Sequence, residues 1–86
     1  MTVIVTCTLL DGHRWCEKNG IDLRSARVVV MGAGGFGLYG LSPTKVVFLS
    51  HWYDRLDTAQ QLSVLEQVDV MSSTNPDMDV AYAHAV

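Results

Sequence analysis

Arg27-Val28-Val29-Val30-Met31-Gly32-Ala33-Gly34-Gly35-Phe36-Gly37 is a β-branched run that empties into G-x-G-x-x-G. Three consecutive valines favour an extended strand and suggest burial on both faces, as in a central parallel strand. In a dinucleotide site, glycines placed this way open a helix whose N-terminus faces the pyrophosphate. The residues that follow do not complete that site. Only Leu38-Tyr39-Gly40-Leu41-Ser42 separates Gly37 from Pro43, a further glycine falls in the middle, and Pro43 blocks helix extension. The next apolar run, Lys45-Val46-Val47-Phe48-Leu49-Ser50, reaches His51 with no acid before Asp54 to hold a ribose. Gly-Lys-Ser/Thr is missing as well, which removes the phosphate cation and the magnesium hydroxyl of a Walker A loop. The stretch therefore reads as a tight crossover between two strands, with about one helical turn near residues 36–41. A hairpin between these two strands is the competing topology.

Outward from this segment the punctuation is regular. Residues 2–9 read as a strand, with Val3, Val5, Cys7 and Leu9 on one face and Ile4 among threonines on the other. A short helix over 12–19 follows, with Asp11 as N-cap, Leu10 and Trp15 as a hydrophobic staple, and Cys16 inward. Gly20 suits the left-handed position after its last turn, with Ile21 making the accompanying contact. Beyond the third strand, a helix over 55–70 is capped by Asp54 or by Asp57 with Gln60. Leu56, Ala59, Leu62, Leu65 and Val68 form its apolar stripe. Asn75-Pro76-Asp77 has the form of an N-cap, an N1 proline and an acidic first turn. With Ala81, Ala83 and Ala85 it predicts a last helix, loosely attached within 72–86. An alternating strand through Met78, Val80 and Tyr82 is the weaker alternative. The expectation is one α/β domain over 1–86. Its order is β-α-β-β-α-α: a small three-stranded, mainly parallel sheet with helices packed on it, Rossmann-like.

The totals narrow the function classes. The chain has 86 residues, 49% of them hydrophobic and 17% charged, with a net charge of -3. A body this small cannot hide that much apolar surface, so contact with another chain, a copy of itself or a partner, is expected. The basic residues Arg14, Lys18, Arg24, Arg27, Lys45 and Arg55 stand singly, which argues against a nucleic-acid footprint. No run approaches the ~20 apolar residues of a membrane span, and the first strand is not a signal peptide. Cys7 and Cys16, outside any C-x-x-C spacing, read as reduced thiols of a cytoplasmic protein.

Ligands of open parallel α/β sheets lie beyond the carboxyl ends of the strands. Those ends here are Asp11-Gly12-His13, the glycine loop and Ser50-His51-Trp52-Tyr53-Asp54. A small-molecule or nucleotide site would use Asp11, Gly32, Gly34, Gly37, Ser50 and His51. His51 with Asp54 or Asp11 has the composition of a base and its orienting acid, with Ser50 as nucleophile. Helix capping explains both acids equally well, so no catalytic residue, metal ligand or cofactor is assigned. The aromatic group Tyr39, His51, Trp52 and Tyr53 reads instead as a protein interface. Tyr and Trp bury large rigid area while keeping a polar handle, and three such residues in a row cannot all point inward.

Trp15, Gly20-Ile21, Ala26-Arg27-Val28-Val29-Val30, Gly37-Leu38-Tyr39-Gly40-Leu41 and the run from Lys45 to Ser50 together form a pattern over residues 3–55. In layout it resembles small accessory proteins of tailed phages, notably those of actinobacteria. The same alternation looks like a helicase-type nucleotide-binding core without its phosphate loop. There Ser50-His51 stands in place of an acidic magnesium residue, so no activity carries over. The phage resemblance implies a non-enzymatic module that binds a host or phage protein in the host cytoplasm, and self-association is expected.

Overall fold

The computed structural model of the chain describes residues 1–32, 38 and 43–84. Its order is β1 (Thr2–Thr6), α1 (Leu9–Lys18), β2 (Ala26–Val30), β3 (Lys45–Leu49), α2 (Thr58–Thr74) and β4 (Asp79–Ala83). The sheet runs β2-β1-β3-β4 and every pairing is parallel. This confirms the α/β class with a Rossmann-like parallel sheet and corrects the strand count, since the described residues form four strands rather than three. The hairpin alternative is also excluded. β2 and β3 both pair with β1, in registers that align Ile4 with Val28 on one side and Val47 on the other.

Alternation along β1 and β3 divides the core between two faces. Val3, Val5, Val46 and Phe48 meet Val64 and Val68 of α2, while Ile4, Val47 and Leu49 meet Cys16 of α1. The helices therefore cover opposite sides of the sheet. Met31 and Leu38, the latter in the connection from β2 to β3, join the α2 side. The amide of Leu38 is held there by Gln67 Oε1, which accepts its N–H at 2.7 Å from inside the protein.

β2 is an edge strand, not the central one its valines suggested. Val28 packs on the α1 side and Val29 on the α2 side, so both faces are partly covered, and no described strand lies beyond β2.

The helix boundaries follow local hydrogen bonding. α1 starts at Leu9, because Thr8 rather than Asp11 is the N-cap; the Asp11 N–H donates to Thr8 Oγ1 at 3.2 Å. Asp11 still lies in the first turn, where a carboxylate opposes the helix dipole favourably. Leu10 falls inside the helix and is 58% exposed, so the expected staple with Trp15 does not form. At the other end, Gly20 has φ +67°, the Ile21 N–H donates to Cys16 C=O at 2.8 Å and the Gly20 N–H to Glu17 C=O at 3.3 Å. This is the expected left-handed glycine stop. Asp57 and Gln60 make the reciprocal capping box of α2, at 2.8 and 3.0 Å.

Of two expectations about the C-terminal third, one holds in part and the other is overturned. Leu56 and Val68 of the expected stripe are buried, but Ala59, Leu62 and Leu65 are exposed, and Val64 and Gln67 complete the buried face of α2. Residues 79–83 are a strand rather than a helix. Asn75 is the C-cap of α2, held extended at φ -136° as its neighbour Pro76 requires, and its side-chain amide donates to Pro43 C=O at 3.3 Å. That bond aims the chain at β3, where β4 completes the row.

Candidate functional site

Along the sheet order, the chain moves from β1 to β2 in one direction and from β2 past β1 to β3 in the other. The switch point lies between β1 and β3, and the carboxyl ends there form the expected ligand edge. Beyond Leu49 the chain turns at once. The Trp52 N–H donates to Leu49 C=O at 3.2 Å, the Asp54 N–H to His51 C=O at 3.2 Å and the Leu56 N–H to Tyr53 C=O at 2.9 Å. His51 supplies the reversal with φ +63°, a left-handed conformation that costs a non-glycine residue about 1–2 kcal/mol. The result sorts three adjacent aromatic residues. Trp52 drops into the core at 7% exposed, while Tyr53 stays 42% exposed and the His51 side chain 71% exposed.

The rings then form a connected series across the end of the sheet. Between centroids, His51 meets Tyr53 at 6.4 Å, Tyr53 meets Trp52 at 5.6 Å with the rings perpendicular, and Trp52 meets Phe48 at 5.0 Å. Phe48 stacks on Tyr82 of β4 at 5.3 Å and 18°. The middle of the series is core and both ends are surface, because Tyr82 is 70% exposed. Edge-to-face and offset contacts of this kind add about 0.5–1.5 kcal/mol each and hold the outer rings in defined places. Beside them is a pocket of about 350 Å³, walled by Phe48, Trp52, Tyr53 and Tyr82 and rimmed by His51 and His84. Apolar walls with a few polar atoms at the mouth suit a planar or apolar group more than an ion.

Of the residues singled out from the sequence, Ser50, His51 and Tyr53 share this pocket with Trp52 behind them. The Ser50 N–H donates to Ala83 C=O at 2.8 Å, which ties the rim to β4. His51 Nδ1 lies 3.6 Å from Asp54 Oδ1, beyond hydrogen-bond reach, with both side chains largely in water. His13 is elsewhere, on a cleft with Glu17, Ile21 and Leu23, so the structure does not bring it to His51. Asp11 is half-buried in the first turn of α1 and does not line the aromatic pocket. Gly32 stands at the end of β2, where an added Cβ would meet Arg55 Cδ at 3.8 Å, an ordinary contact. Gly34, Gly37 and Tyr39 lie outside the described residues, as does the helical turn expected near residues 36–41.

Tyr82 and His84 were missed because the last helix placed them far from His51. The alternation of Met78, Val80 and Tyr82 was the signal that would have found them. Cys16 is fully buried on the sheet-facing side of α1, and burial pushes its thiol pKa above the ordinary value; Cys7 is half-buried. Among the described residues no His, Cys, Asp and Glu converge as metal ligands, and no helix is long and apolar enough to cross a membrane. Comparison with protein families, with curated proteins and with solved structures finds no match to this chain.

Proposed function

We propose that this chain is a non-enzymatic interaction module that acts by protein contact and self-associates. The observation that carries the reading is the aromatic series with its buried middle and exposed ends. Two large rings held in place from below, Tyr53 and Tyr82, form the kind of rigid surface that anchors interfaces. The loose, solvated pairing of His51 with Asp54 favours contact over catalysis, since a working base is held close by its orienting acid. The resemblance of residues 3–55 to phage accessory proteins supplies the partner class, a host or phage protein met in the host cytoplasm.

Capture from an actinobacterial lysate tests this, comparing the parent chain with a His51→Gly, Tyr53→Ser double variant. Glycine relieves the left-handed strain at position 51 while removing the ring, so folding survives. The expected result is a specific protein retained by the parent and lost by the variant, which still unfolds cooperatively. Equal retention by both would remove the rim from the interface.

The pocket favours a second reading, a small-molecule or nucleotide site at the same edge. Its volume is within the usual range for ligands, but it draws on Ser50 and His51 and not on Gly32 or Asp11. A thermal-shift panel of nucleotides and aromatic metabolites separates the two. A rise of several degrees with one compound would favour the pocket, because only binding to the folded state raises Tm.

A further inference from the structure

We infer that two copies of this chain join edge to edge through β4, antiparallel, about a two-fold axis at Ala81. The inference rests on the self-association in the reading above and adds its surface and register. β4 ends the sheet, and no described strand lies beyond it. The Asp79 N–H donates to Thr44 C=O at 3.0 Å, and Ala83 C=O accepts from the Ser50 N–H at 2.8 Å. In a parallel ladder, alternate residues face the neighbour. Asp79, Ala81 and Ala83 therefore turn their backbone groups to β3, and Val80 and Tyr82 turn theirs outward.

An antiparallel partner needs outward-facing residues opposite one another. An axis at Ala81 meets that condition with the strand itself as partner. Val80 stands opposite Tyr82 of the second copy and exchanges both main-chain bonds with it, and Tyr82 does the same with the second Val80. Ala81 faces its own copy as a close pair without hydrogen bonds.

The side chains agree with this register. Asp79 falls opposite Ala83, so the two copies' acids never meet. Val80 and Tyr82, 40% and 70% exposed, become cross-strand aromatic–aliphatic pairs. Tyr82 is already held flat on Phe48 by stacking, so its free face is ready for the second Val80. The opposite side of β4 carries only Ala81 and Ala83 beside Asp79, leaving no bulk to hold the sheets apart.

Light scattering and cysteine cross-linking on the full chain test this in a Cys7→Ser background. A particle of twice 9.5 kDa is expected, reduced to 9.5 kDa by Val80→Pro. Proline there removes an outward N–H and spares the bonds to β3. Tyr82→Lys, which keeps every backbone group, should also give the monomer. Under mild oxidation Ala81→Cys should form a disulfide dimer in most of the sample, because close antiparallel pairs match disulfide geometry. Ala83→Cys, opposite Asp79, should not.

A monomer at high concentration would overturn both the inference and the self-association in the reading. A dimer that survives Val80→Pro and Tyr82→Lys would overturn β4 as the surface and leave self-association standing. Cross-linking through Ala83→Cys in place of Ala81→Cys would overturn the register.

Discussion

A methyl group at Gly12 would sit 2.5 Å from Val28 Cγ1 and 3.2 Å from Thr6 Cγ2. Neither neighbour is the loose end of a long side chain, so α1 would have to lift from the sheet. Gly12→Ala is expected to lower stability by about 1–3 kcal/mol despite alanine's better helix propensity, as overpacked cores do. Chemical denaturation checks the sign. Gly32 gives the opposite expectation. Its φ is not in the left-handed range and its nearest neighbour lies at ordinary contact distance, so Gly32→Ala should change stability by less than ~0.5 kcal/mol. A first glycine that tolerates a side chain is not serving a pyrophosphate turn. A loss above 2 kcal/mol would reopen the dinucleotide reading that Pro43 and the missing acid argue against.

At the scale of elements, α2 is fixed by a polar residue. Gln67 is buried and its Oε1 holds the Leu38 N–H, tying the helix to the crossover. Gln67→Leu keeps the bulk and strands a buried amide, at an expected cost of about 1–3 kcal/mol. Hydrogen exchange should show faster exchange at the Leu38 amide, and unchanged protection there would disprove the tie. This contact also explains why the helix stripe was misjudged. Leu62 and Leu65 have the right period for a core face, but with Gln67 tied to Leu38 it is Val64, beside the expected Val68, that turns inward. Elements set by local chemistry were legible: the stop at Gly20 and Ile21, the capping box of Asp57 and Gln60, the strand at Lys45–Leu49. β4 was not, because Asn75-Pro76-Asp77 and the alanines carry helix signals locally. Val47, Phe48 and Leu49 need a neighbour along β3, and that long-range demand decides the outcome. The rim was half legible for the same reason, with His51 and Tyr53 read from the sequence and Tyr82 hidden behind the wrong secondary structure.

For the whole molecule, Cys16 reports on the integrity of the double-sided core. Burial holds its thiol protonated in the folded state to a higher pH than in the unfolded chain. Below the ordinary thiol value of 9.0 both states are protonated and this contribution to stability is complete. As pH rises beyond it the unfolded chain releases its proton first, so stability should fall towards the folded pKa. A Cys16→Ala control should remove that slope, and a flat profile in the parent would contradict it. Thiol labelling at neutral pH should modify Cys7 at once and Cys16 only as fast as the chain unfolds.

The central place of β1 carries a consequence for the chain's birth. Thr2–Thr6 is made before the other strands and needs neighbours on both sides, yet the second of them, Lys45–Leu49, is made some 40 residues later. At ~5–20 residues per second, the ribosome leaves this segment waiting for roughly 2–8 s. During that interval α1 and β2 can cover one face and one edge of the strand, while its other edge and the side chains of Val3 and Val5, which wait for α2, stay uncovered. Such segments are where nascent chains meet one another or a chaperone. Slower translation should therefore raise the insoluble fraction, and chaperone dependence should be concentrated in the interval before Lys45–Leu49 is made.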